Sequence, residues 1–312
     1  MRVLLAQVSL LPEILSKKIS AWDLTRLAAQ NGFQGVEWLD RLLPSLEPEA
    51  LGRLGELSRQ AGLGQGALSL TIPYDASPRR LDAATKRCIA LLEVCSDMGV
   101  SVVRVALASS GLNLGHLLEI VSSLRTRQAR RRASLGWAGG LTYLALARAG
   151  YARDRGHGVA PPSYPKEDLD RAARSLEPLA ERAAQLGLAL GMENHWGISG
   201  LPGDLLYTIE RLRGYCLGVC LDLDNFYRDQ DALAGVAALA PRAVHVHYKA
   251  HGGDAIAEAK RLGYRARLEA LRAVGYAGAF SVEYEGPPPG LNGARRAAEV
   301  LRALWEPGSS PT

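Results

Sequence analysis

Short apolar runs rich in β-branched residues alternate along the chain with longer segments whose apolar positions recur every three to four residues. That is the pattern of parallel strands joined by crossover helices. Eight runs qualify as strands: RVLLAQV (2–8), GVEWL (35–39), GQGALSL (64–70), VSVVRVALA (100–108), GLALGME (187–193), LGVCLDL (217–223), AVHVHYK (243–249) and AFSVEYE (279–285). Segments of helical period over 20–31, 48–61, 82–98, 166–186, 203–213, 229–239, 257–273 and 293–305 fall between and after them. Glycines ahead of several strands, in NGFQGVEW, MGVSVV and VGYAGAF, serve as helix stops. Eight successive strand–helix units are the count of a (β/α)8 barrel, so the expected architecture is α/β, a single TIM barrel domain over 1–312.

One stretch exceeds this scheme. Residues from about 110 to 165 contain LLEIVSSLRTRQARRR, WAGGLTYLALARAG and RDRGHGVAPPSYP, far more than one loop. They are expected to form a helical insertion after the fourth strand, with a Pro/Gly-rich return, over the C-terminal face where a lid or an oligomer contact would go. Its basic run, 125–132, is expected to be a solvated helix face and not a nucleic-acid element.

Composition narrows the class further. With 312 residues, 47% hydrophobic and 22% charged, the chain can bury a large core. It has no apolar run of about 18 residues, which argues against a membrane span, and MRVLLAQVSLLPE turns polar too soon for a usual signal peptide. Cys88, Cys95, Cys216 and Cys220 match no zinc-knuckle spacing, so a reduced, cytoplasmic protein is expected. The net charge of +5 is modest for this length and says little about partners. A homo-oligomer is compatible with all of this.

The chemistry gathers at the ends of the last four strands. The fifth ends in Glu193, the sixth in Asp222, the seventh in His247 and the eighth in Glu283, each about one βα unit after the last. Barrel enzymes build their sites at the C-terminal ends of strands, so neighbouring strands would aim three carboxylates and one imidazole at one point. Crowded carboxylates repel one another unless a cation compensates them. Hard oxygen donors with one imidazole suit one divalent ion, Mn²⁺ first, then Co²⁺ or Mg²⁺, with Zn²⁺ as a further alternative. His245 points the same way as His247 one layer deeper, and a core histidine supporting its neighbour is the expectation there.

The strings LGMENHWG, GVCLDLDNF, HVHYK and SVEYEG, in that order on successive strands, resemble the sugar isomerase/epimerase branch of the xylose isomerase-like TIM barrels. The resemblance implies that Glu193, Asp222, His247 and Glu283 are the metal ligands and that Glu193 and Glu283 also move protons on opposite faces of the substrate. It implies a keto-sugar or sugar derivative as substrate, deprotonated to an enediolate. Return of the proton to the opposite face gives epimerisation, return to the neighbouring carbon gives isomerisation, and loss of a β-hydroxyl gives dehydration. The ketose 3-epimerases carry a further glutamate, arginine and histidine where this chain has Ser199, Gly253 and Asn225, so the substrate contacts differ. His195, Asn225 and Lys249, each just past a ligand, are candidates for substrate binding, as are Glu37 and Trp38 at the second strand. Lys249 is a point charge suited to a carboxylate or phosphate.

The main alternative is a metal-dependent dehydratase of a keto-cyclitol of inosose or dehydroshikimate type. An apurinic endonuclease of the same superfamily would need extra histidines from the third and fourth strands, which end in LSLTIPYD and VALASSG. A barrel that binds a sugar without catalysis would be expected to have lost part of the ligand set, which is intact. The expected partner is thus a small sugar or cyclitol, with neither nucleic acid nor membrane.

Overall fold

The computed structural model describes residues 1–108, 162–215 and 217–308. Its strands are β1 (Arg2–Ala6), β2 (Gly35–Leu39), β3 (Gly66–Pro73), β4 (Val100–Ala108), β5 (Ala189–Glu193), β6 (Gly218–Asp222), β7 (Ala243–Ala250) and β8 (Ala279–Tyr284). They pair in parallel, in sequence order, and β8 returns to β1 to close the barrel. Among the described residues the helices include α1 (Leu24–Gln30), α2 (Pro48–Gln60), α3 (Pro78–Glu93), α4 (Lys166–Gln185), α5 (Pro202–Arg211), α6 (Asp229–Leu239), α7 (Tyr264–Ala273) and α8 (Gly290–Trp305). The chain is therefore a TIM barrel. The insertion expected over about 110–165, with the basic run inside it, lies outside the described residues except for 162–165.

Two helices differ from the pattern read along the chain. α3 starts at Pro78, earlier than the apolar period suggests, because a proline with its preset φ opens a first turn readily. The segment expected as one helix over 257–273 is two, Ala255–Arg261 and α7, separated at Gly263. Gly263 has φ +64°, a left-handed conformation that ends the first helix and that glycine adopts without a Cβ clash.

Strand alternation decides what faces the site. Val3, Leu5, Val36, Trp38, Leu68 and Leu70, with their counterparts on the later strands, point outward and form one apolar core with the helices. Residues of the other parity point into the barrel. Leu4, Ala67, Val102 and Ala279 pack together at its N-terminal end. Above them the interior turns polar, with Glu37, Ser69, Arg104, His245 and Ser281 all buried. The register carries this polarity to the mouth: Glu193 pairs with Cys220, Asp222 with His247, His247 with Ser281 and Lys249 with Glu283. Side chains at paired positions share a face, so the last four strands deliver their terminal polar groups to one side.

Candidate metal centre

Glu193, Asp222, His247 and Glu283 each offer one ligand atom, and these atoms all lie within 4.8 Å of one another. His247 Nδ1 is 3.1 Å from Glu193 Oε1 and 3.3 Å from Glu283 Oε1. Local backbone contacts hold Asp222 in place. Asn194, the residue after Glu193, bridges from the end of β5 to β6: Asp222 N donates to its Oδ1 at 2.8 Å, and its Nδ2 donates to the Asp222 carbonyl at 2.9 Å. Asp222 Oδ1 in turn accepts the amides of Asp224 and Asn225, at 2.7 and 3.0 Å, which makes a tight turn off the strand.

The four groups have unequal electrostatic surroundings. Burial raises the Glu193 pKa, but the Arg104 guanidinium and the rings of His195 and His247 outweigh it and hold this carboxyl well below the usual range. Burial pushes Glu283 up to about 7, and the neighbouring carboxylates of Glu193 and Asp222 add to the rise. Asp222 is also raised by burial, against the pull of Lys249. Without an ion, one carboxyl is thus kept ionised while another holds a proton near neutral pH.

The donor set fits a divalent ion. Three carboxylates and one imidazole converge from four strands, and Asp222 Oδ2 is buried with no hydrogen bond among the described residues, the Lys249 ammonium lying 3.2 Å away. Hard oxygens with a single nitrogen are the ligands that such ions take.

The expected substrate contacts fall out differently from one another. His195 lies partly buried beside Glu193, and desolvation pushes its pKa down to about 4, so the ring is neutral. Asn225 accepts from Lys249 Nζ through Oδ1 at 2.9 Å, and its buried Nδ2 has no hydrogen-bond partner among the described residues. Lys249, expected at the rim as an anchor for an anion, is only 5% exposed. Its charge is shared among Asp222, Glu283 and Glu285, at 3.2, 3.7 and 3.5 Å, so it is no free cation. Glu37 does not reach the mouth as expected. It is 3% exposed, beneath the quartet, and contacts both His245 and His247. Trp38 is corrected outright: alternation turns it away from Glu37 into the core outside the barrel, where it is 1% exposed and cannot floor a ligand.

Arg104 escaped the sequence reading. It sits in β4, 9% exposed, in an ion pair with Glu193. A lone charge inside VSVVRVALA was the available signal, since an arginine within an apolar strand is costly unless an anion meets it. Ser69 and Ser281, which bond Glu37 and His245, carried no such mark.

The family model for the xylose isomerase-like TIM barrel matches residues 25–304. By sequence, no curated protein matches. Among solved structures the fold is similar to the probable 3-DHS dehydratase AsbF from Bacillus anthracis, at 13% identity over 97% of this chain and 99% of that one, TM-score 0.64. It is similar to D-psicose 3-epimerase from Clostridium cellulolyticum H10, at 13% identity over 98% and 100%, TM-score 0.66. It is also similar to the IolI protein, whose structure holds a zinc atom, at 13% identity over 98% of each chain, TM-score 0.63. At such identities these likenesses establish the fold.

Proposed function

The chain belongs to the xylose isomerase-like TIM barrel family, and on that premise we propose that it is a divalent-metal-dependent isomerase or epimerase of a keto-sugar or sugar derivative. The convergence of Glu193, Asp222, His247 and Glu283 within 4.8 Å carries this reading. A divalent ion held by these four residues supplies Lewis acidity, stabilising negative charge on the oxygens of a bound carbonyl compound. Mn²⁺ is the proposed ion.

The residues of the chain do the rest. Glu193 and Glu283 are the proposed proton carriers, one taking a proton from the carbon beside the carbonyl and the other returning one. Arg104 keeps Glu193 ionised, while Glu283, pushed up to about 7 before an ion displaces its proton, is the more basic carboxylate of the pair. Lys249 ties Asp222, Glu283 and Glu285 together and limits the repulsion among them. His195 as a neutral ring and Asn225 through Nδ2 are the proposed hydrogen-bonding contacts to substrate hydroxyls. The proposed compartment is the cytoplasm, in keeping with the free, buried thiols of Cys88, Cys95 and Cys220. Among the described residues, no helix is long and apolar enough to cross a membrane.

A dehydratase of a keto-cyclitol is the second reading, favoured by the likeness of fold to the probable 3-DHS dehydratase. Deprotonation is shared by both reactions; loss of a β-hydroxyl distinguishes them. The test is incubation of metal-loaded protein with keto-sugars and keto-cyclitols in deuterated water. Deuterium entering the carbon beside the carbonyl, with or without loss of water, is the expected result. Absence of exchange on every candidate, in protein shown to carry an ion, defeats the proposal.

A further inference from the structure

Beneath the quartet, Glu37 reaches both histidines of β7. Its Oε1 is 3.1 Å from His247 Nε2, and its Oε2 is 3.2 Å from His245 Nε2. Ser69 donates its hydroxyl to Glu37 Oε1, and Ser281 Oγ is 2.8 Å from His245 Nε2. All five side chains are buried inside the barrel. By distance alone Glu37, His245 and His247 form a second group of three metal donors. Two hydroxyls already hydrogen-bond within that group, which makes it a buried polar network below the floor of the mouth.

His247 belongs to both groups and turns one ring nitrogen to each: Nδ1 to Glu193 and Glu283, Nε2 to Glu37. A neutral imidazole carries one proton. With that proton on Nε2, donated to Glu37, the Nδ1 lone pair is bare toward the quartet; with it on Nδ1, a proton stands where a cation has to bind. A carboxylate on the far nitrogen of a ligating histidine fixes the tautomer and the ring plane.

We infer that Glu37 is a positioning residue: braced by Ser69 and His245, it accepts the His247 Nε2 proton in a hydrogen bond and makes Nδ1 the nitrogen donor of a single divalent-ion site. This rests on the metal reading of Glu193, Asp222, His247 and Glu283. It also excludes a second ion at Glu37, His245 and His247.

The experiment uses the full chain with Zn²⁺ as the probe. Calorimetry measures affinity and stoichiometry for wild type, Glu37→Gln and Ser69→Ala, and ¹⁵N chemical shifts of the His247 ring report which nitrogen holds the proton in the Zn²⁺ form. Wild type should bind one Zn²⁺ with the proton on Nε2. Glu37→Gln, whose amide can turn its NH₂ toward the ring, should weaken Zn²⁺ binding by about 10- to 100-fold. Ser69→Ala should weaken it less, and it remains a test if Glu37→Gln does not fold. Unchanged affinity in both variants, two Zn²⁺ per wild-type chain, or a His247 proton on Nδ1 in the Zn²⁺ form overturns this inference alone. A wild type that binds no Zn²⁺ overturns the metal reading, and this inference with it.

Discussion

Arg104, in the middle of β4, forms a buried ion pair with Glu193 at the end of β5. The barrel interior therefore holds a fixed positive charge directly beside a proposed metal ligand. A second cation, Lys249, is spread over Asp222, Glu283 and Glu285 higher in the mouth. These two side chains offset part of the negative charge that would otherwise keep the carboxylates from sharing one small space.

Replacing Arg104 by Met should expose that dependence. The Glu193 carboxylate would be left buried without its partner, a change that costs about 3–5 kcal/mol when an ion pair loses one member. Urea unfolding of metal-free protein should show this loss. Addition of Mn²⁺ should recover more stability in the variant than in wild type, because the ion supplies the missing positive charge. Equal stability of the two metal-free proteins would contradict the role given to Arg104.

Removing donors should strip the metal. His247→Ala takes away the nitrogen of the set, and Asp222→Ala takes away a carboxylate whose Oδ2 has no hydrogen bond among the described residues. Glu193→Gln and Glu283→Gln keep an oxygen that can face the ion but cannot accept a proton from carbon. Elemental analysis after Mn²⁺ saturation and desalting should find little metal in the first pair and partial retention in the second. Deuterium exchange on an accepted substrate should be lost in all four. Full metal content and full exchange in His247→Ala would defeat the ligand assignment.

Affinity for the ion should depend on pH with a definite sign. Glu283, pushed up by burial to about 7, carries its proton below that value, and an incoming ion must displace it. His247 adds a second proton, because the anionic groups around it outweigh its burial and raise its pKa. Mn²⁺ affinity should therefore rise with pH and, for the Glu283 proton, fall by about tenfold for each unit below 7. Calorimetry in buffers of different ionisation enthalpy counts the protons released, and a count of zero near pH 6 would refute the coupling.

Trp38→Ala separates the core from the site. The indole is fully packed outside the barrel, so its loss should cost about 3–5 kcal/mol through the cavity it leaves. Metal stoichiometry should be unchanged once the variant is folded. A loss of ion binding at temperatures well below its melting transition would return Trp38 to the site.

The barrel was legible along the chain because its two periodicities are local. Strands of alternating character and helices of three-to-four spacing each follow from a few consecutive residues, and β2 and β4 occur where the apolar runs GVEWL and VSVVRVALA stand. Glu193, Asp222, His247 and Glu283 were legible for a related reason: in a parallel barrel every strand ends on the same face, so position along a strand already states which end a residue occupies. Failures came where two side chains distant in sequence had to meet. Alternation alone separates Trp38 from Glu37, yet which of the two faces inward follows from the pairing of Glu37 with Ala6 and Ala67.

Charge compensation was the least visible part. Lys249 in isolation is a free cation at a strand end, and Arg104 is an oddity in an apolar run. Closure of the barrel sets the first among three carboxylates and the second against Glu193, by a register that staggers each strand against the next. The sequence by itself determined the number and order of the strands and which residues lie toward each strand's C-terminal end, because those depend on local period and direction. Only the tertiary structure decided which charges neutralise one another and that Glu37 reaches His247, since Coulomb and hydrogen-bond partners are chosen by distance across the closed sheet, which no spacing along the chain records.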